Sequence, residues 1–149
     1  MTLFEQLQFG DRIETAHRDL LGISEERSLS KLREGGWTCK EILGHLIDSA
    51  LNNHQRFVRA ALDGIYEGPT YDQAEWVSIH GYRSLPWARL LEHWRGQNVL
   101  LGEVIRRVPE ARLDAPCRVG DNDPVSLRFL IGDYLVHLEY HVDQILSTR

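Results

Sequence analysis

Residues 38–64 read TCKEILGHLIDSALNNHQRFVRAALDG, and this stretch decides the fold. Thr38 suits the position just before a helix, where its hydroxyl accepts a hydrogen bond from a free amide of the first turn. Glu41, three residues on, can return a bond to the Thr38 amide, which completes a capping box. Gly64 closes the stretch with the residue that most readily takes the left-handed conformation at a helix end. Gly35 and Gly36 precede it as a break. The apolar residues between follow the 3.6-residue period of a packed helix and predict one running to about Leu62.

Three further stretches carry the same period. The first runs from Leu3 to Leu21, bent near Gly10, with Phe4, Leu7, Ile13, Leu20 and Leu21 facing inward. The next begins near Pro86, with Ser84 as its cap, turns Leu90, Leu91, Trp94, Leu101, Val104 and Ile105 to the core, and ends before Pro109. The last spans about Val125 to Leu146 and carries Leu127, Leu130, Ile131, Leu135, Leu138, Val142 and Ile145. Sustained alternation of period two is absent, so the sequence predicts an all-α helical bundle. The two connections, residues 64–86 and 109–124, are long for a compact domain, and loops beyond about 12–15 residues are often functional.

Composition narrows the function classes. A chain of 149 residues, 42% hydrophobic and 26% charged, predicts one globular domain over residues 1–149. Its net charge of −5 supplies no basic field for a phosphate backbone, so no nucleic-acid partner is expected. No apolar run approaches the roughly 20 residues that span a bilayer, so no membrane partner is expected either. The N-terminus has no basic region preceding an apolar stretch, which leaves the cytoplasm as the expected location. Cys39 and Cys117 have neither redox nor zinc-knuckle spacing and read as two free buried thiols.

The chemistry concentrates on two helices. His137 and His141 are one turn apart on one face of the last helix, a spacing that lets two neutral imidazoles share a borderline divalent metal. His45, well inside the second helix, is the candidate third ligand. With His45 at the origin of a helical wheel, Asp48, Ser49, Asn52 and Arg56 fall within about 60° of it, and Leu43, Ala50, Phe57 and Ala61 gather opposite. Such a polar strip is either a solvated face or the lining of a polar cavity. His80, in the first long connection, reads as a surface histidine, with contact to a substrate as the alternative. His54 lies on the apolar side, and His17 and His93 lack a ligand partner one turn away.

Three segments together, GWTCKEILGHLIDSALNNHQRF at 36–57, PTYDQAEW at 69–76 and DYLVHLEYH at 133–141, resemble the DinB-like superfamily, specifically its YfiT branch. The resemblance implies a four-helix bundle of up-down-down-up connectivity, often as a homodimer. It also implies one divalent metal ion, usually zinc or nickel, on a histidine triad that falls here on His45, His137 and His141. It favours the cavity reading of the strip, since Asp48, Asn52 and Arg56 match the polar stretch after the first family histidine. Relatives commonly carry further histidines around the last motif, where this chain has Tyr140 and Gln144.

Three protein ligands leave an open coordination position, the usual arrangement of a catalytic metal site. A metal there can lower the pKa of bound water from 15.7 towards about 7, giving hydroxide for hydrolysis, or deprotonate a bound thiol to a nucleophilic thiolate. Asp48 is then a candidate catalytic residue that accepts a proton or orients a ligand. Arg56 is a second, able to hold a substrate carboxylate bidentately, and Asn52 is a candidate for binding the cosubstrate. The resemblance implies transfer of a low-molecular-weight thiol to an electrophilic small molecule, with a metal-dependent hydrolase as the alternative. A metal or small-molecule binder without turnover is a third reading.

Overall fold

The computed structural model describes residues 1–148. Six α-helices follow one another: α1 (Leu3–Gln6), α2 (Phe9–Leu21), α3 (Cys39–Asp63), α4 (Gln73–His80), α5 (Trp87–Arg107) and α6 (Leu127–Leu146). Three short strands, β1 (Tyr66–Gly68), β2 (Pro116–Val119) and β3 (Val125–Ser126), lie within the two long connections.

The caps of α3 form as its sequence requires. Thr38 Oγ1 accepts from the Glu41 amide at 3.2 Å, and Glu41 Oε1 accepts from the Thr38 amide at 3.0 Å. Gly64, at φ 75°, ends the helix and donates its amide to the Ala60 carbonyl. The resulting helix is central. From Cys39 to Ala50 every residue but Glu41 is buried, because α5 packs along one side and α6 along another.

Contacts along the helices fix the connectivity. Gln97 donates to the Ile47 carbonyl, and Val58 and Leu62 lie beside Leu100 and Val104, so α3 and α5 run parallel. Phe57 packs against Tyr134 while His45 meets His137, so α3 and α6 run antiparallel. Leu20 accepts from Trp87 Nε1 and Glu14 pairs with Arg95, which sets α2 antiparallel to α5. The four long helices form an up-down-down-up bundle.

Parallel α3 and α5 oblige the chain to travel back the length of α3 before α5 begins. On that return, Pro69 lies at Arg56, His80 at Asp48, and Arg83 at Glu41. The segment starts with β1, which pairs in parallel with β2, while β2 pairs antiparallel with β3. The stretches that lack helical period thus join in one small sheet beside the bundle. The α4 helix buries only Val77, which explains why no apolar stripe marked it.

Several boundaries differ from expectation. The bend in the first helix falls at Gln8, at φ 52°, and not at Gly10. Thr2 caps α1 in its own capping box, and the chain restarts as α2. Leu21 is 61% exposed, whereas Leu20 is fully buried, since the helix ends there and turns its last residue outward. Pro86, not Ser84, holds the cap position of α5, because residues 82–84 form a separate 3-10 turn. Ser126 caps α6, and Val125 belongs to β3. Cys39 and Cys117 are free and buried.

Candidate metal centre

His45 on α3 and His137 and His141 on α6 point their Nε2 atoms at one another. His45 Nε2 is 3.2 Å and His141 Nε2 is 3.1 Å from His137 Nε2, and one ring nitrogen from each residue lies within 4.8 Å of the other two. His45 is 1% exposed, and Trp37 packs against its ring at 5.2 Å between centroids. Separations of 3.1–3.2 Å would let the nitrogens share an ion about 2.0–2.1 Å from each of them.

Protonation states agree with ligation. Burial pushes the pKa of His45 down to about 4, with the neighbouring histidines adding to the shift. Burial lowers His137 and His141 as well, so all three rings are neutral near pH 7. His141 Nδ1 donates to Gln144 Oε1 at 2.7 Å, which leaves its Nε2 as a bare lone pair facing the centre. Gln144 is itself held by its Nε2, which donates to the Tyr140 hydroxyl at 3.3 Å. A divalent cation would accept the lone pairs of all three converging nitrogens at once. The residues present therefore fit a divalent metal.

One turn beyond His45, Asp48 is 1% exposed. Its Oδ1 accepts from the Tyr82 hydroxyl at 2.6 Å and lies 3.1 Å from His80 Nδ1. Burial raises its pKa, and these two partners oppose the rise. The Tyr82 ring reaches this carboxylate because residue 44 is glycine; a Cβ there would fall inside the ring. His80 Nδ1 is also 2.9 Å from the Trp76 carbonyl. Both partners are acceptors, so the proton sits on Nδ1 and Nε2 is the basic nitrogen. His45 Nδ1 and Asp48 Oδ2 are buried without a hydrogen-bond partner among the described residues.

Beside the triad lies a cavity of about 220 Å³, which His137 lines together with Ser49, Asn53, Arg56, Tyr71 and Asp133. Ser49 and Arg56 of the α3 strip line this cavity, and Asp48 is buried outside it, so the strip is not a solvated face. Asn52 is half-buried. It donates Nδ2 to the Asp48 carbonyl of its own helix at 2.9 Å and does not line this cavity, whereas Asn53 does. The cavity is offset to one side of His45: on the wheel Arg56, Ser49 and Asn53 stand at about 20°, 40° and 80°, and Asn52 at about −20°. Asn53 escaped the sequence reading, Tyr71 and Tyr82 were given no role in it, and Gln144 entered it only as a departure from the family's histidines. Gly44, a glycine inside a helix, was the one local sign that something approaches there.

A sequence model of the DinB superfamily matches residues 11–145. The chain belongs to the DinB superfamily. Its DinB relatives include a protein of Geobacillus thermodenitrificans, 27% identical over 132 residues that cover 86% of this chain and 72% of the relative. One from Bacillus pumilus is 30% identical over 118 residues, covering 76% and 65%. Both carry provisional names as metal-dependent hydrolases. Among solved structures, YfiT from Bacillus subtilis, described as a probable metal-dependent hydrolase with an unusual four-helix bundle topology, superposes with a TM-score of 0.84 at 19% identity, over 96% of this chain and 84% of its own. A mycothiol-dependent maleylpyruvate isomerase superposes with a TM-score of 0.79 at 15% identity, over 99% of this chain and 62% of its own. The shared fold is thus the DinB bundle.

Proposed function

We propose that this DinB chain is a metal-dependent enzyme that transfers a low-molecular-weight thiol to an electrophilic small molecule. The observation that carries the reading is the convergence of three neutral Nε2 atoms beside a polar cavity that His137 also lines. Zinc and nickel are among the ions that imidazole ligands suit. A divalent ion on three nitrogens, with a position left open, lowers the pKa of a coordinated thiol or water and so supplies a nucleophile at neutral pH.

The residues around it have separable tasks. Gln144 holds His141 in the tautomer that ligates. Tyr82 and His80 keep the Asp48 carboxylate in place, and Asp48 orients the His80 ring in return. The His80 side chain is 40% exposed, so this buried carboxylate meets solvent on the His80 side. Tyr71 and Tyr82 have pKa values raised by burial and so remain hydrogen-bond donors.

A thiol-dependent isomerase among the structural neighbours supports the thiol reading. Hydrolysis is the second reading, favoured by the names of the sequence relatives. The test is elemental analysis of untagged protein and of its His45→Ala and His137→Ala variants, followed by conjugation assays with small thiols and a chromogenic aryl halide. We expect about one equivalent of metal in the wild type, its loss in both variants, and conjugation that disappears with the metal. Metal that survives both substitutions overturns the site. A loaded protein that conjugates no thiol but cleaves esters or amides replaces the first reading with the second, and one that does neither leaves a binding protein.

A further inference from the structure

The wall of the cavity opposite the chemistry carries a buried cation with almost nothing to bind. Arg56 is 8% exposed, yet the one hydrogen bond its guanidinium makes among the described residues is a long one, 3.4 Å from Nη2 to the Pro69 carbonyl. No carboxylate pairs with it among the described residues. Asp133, which also lines the cavity, is exposed at its edge. The Tyr71 ring lies 5.9 Å from the guanidinium carbon, which is close enough to steady the side chain, but Tyr71 makes no hydrogen bond to it among the described residues. Removing a guanidinium from water without a partner is costly, and such groups are ordinarily matched by an anion.

Position gives this cation its meaning. Arg56 comes three turns after His45 on α3, and the same small cavity is lined by Arg56 and by His137 of the triad. Ser49 and Asn53 stand between them along the helix. The positive charges of Arg56 and of an ion on the triad outweigh the single carboxylate at the edge. At about 220 Å³ the cavity lies below the usual range of small-molecule pockets, so it fits the end of a ligand and not a large one.

We infer that this cavity is a carboxylate subsite: the ligand's carboxylate lies bidentately on Arg56 while a second donor atom of the same molecule, a thiolate in the reading above, reaches the metal. The thiol cosubstrate is therefore a mercaptocarboxylate. The inference rests on the proposed metal-dependent function, and its test separates the two.

The experiment uses cobalt-loaded full-length protein and a series of probes, mercaptoalkanoates from mercaptoacetate to mercaptohexanoate, each paired with the mercaptoalcohol of the same length. Binding is read from the thiolate-to-cobalt absorption band. We expect the acid of best-fitting length to bind roughly 10–100-fold more tightly than its alcohol, as one charge-assisted bidentate contact allows. Arg56→Gln should erase that advantage, and Arg56→Lys should restore part of it. A band that forms equally well with acid and alcohol at every length overturns the subsite and leaves the metal site standing. Failure to bind cobalt at all, or a band that persists in His137→Ala, overturns the metal site and the subsite with it. The comparison of acid with alcohol needs only the wild type, so the inference is testable even if an Arg56 variant fails to fold.

Discussion

Helix α3 is buried along two seams, and the seams have opposite character. On one side it packs against α5, which buries Leu90, Leu91, Trp94, Leu101 and Ile105 and makes one polar contact with it among the described residues, from Gln97 to the Ile47 carbonyl. Toward α6 the same helix brings His45, Ser49, Asn53 and Arg56 up to His137, His141 and Tyr134. The first seam is stabilised by apolar area removed from water. The second gives up part of that stabilisation, since each buried polar group needs a partner to offset its desolvation. A polar strip buried against another helix is therefore a stronger sign of function than the same strip facing solvent.

The sharpest break between the seams should come from Leu101→Ala, which removes a fully buried side chain from α5. Unfolding in urea should show a loss of about 2–5 kcal/mol, while the folded protein keeps its full metal stoichiometry. Loss of metal in that folded protein would mean that the seams are not independent.

Acid should act on the other seam. His45 has a folded pKa of about 4 against 6.5 for a free histidine, so between these values the unfolded chain binds a proton that the folded chain does not. Stability of the metal-free protein is therefore full above pH 6.5, falls as pH drops, and by pH 4 has lost roughly 3 kcal/mol from this residue at most. Urea titrations of metal-free protein across that range measure it. His45→Gln should flatten the dependence; an unchanged curve would show that the triad is not the acid-sensitive part.

The smallest of these effects concerns the support of one ligand. Gln144→Ala removes the acceptor that fixes the His141 tautomer and should weaken metal binding by about 10–100-fold, read by competition with a chromophoric chelator. Stability of the metal-free protein should change little, since Gln144 touches the polar seam alone. Affinity equal to wild type would reduce Gln144 to a surface residue.

How far the sequence revealed this architecture follows from the range of its signals. Local ones were legible: the Thr38 and Glu41 box, the Gly64 stop, and the period of the four long helices all formed as read. The histidine pair on α6 was visible from spacing, and His45 joined it through its place on α3 and the family resemblance. What escaped depends on contacts between distant residues. Tyr82 and Asp48 are separated by 34 positions, and no period links them. Asn53 was passed over for Asn52 because a wheel centred on His45 cannot show that the cavity opens to one side of it. The break expected near Gly10 lies two residues earlier, at Gln8, where a glutamine adopts the positive φ that glycine usually carries.

The return of the chain along α3 has an evolutionary consequence. The three histidines of the candidate site stand on α3 and α6, whose packing tolerates little change, whereas Tyr71, His80 and Tyr82 belong to the crossover between α3 and α5. A bundle with parallel neighbours must have such a crossover, and here it lines the cavity with Thr70, Tyr71 and Gln73. Insertions, deletions and substitutions in residues 65–86 can therefore change which molecules enter while leaving the grip on the ion intact. Selection can thus act on selectivity and on metal retention through different stretches of one short chain.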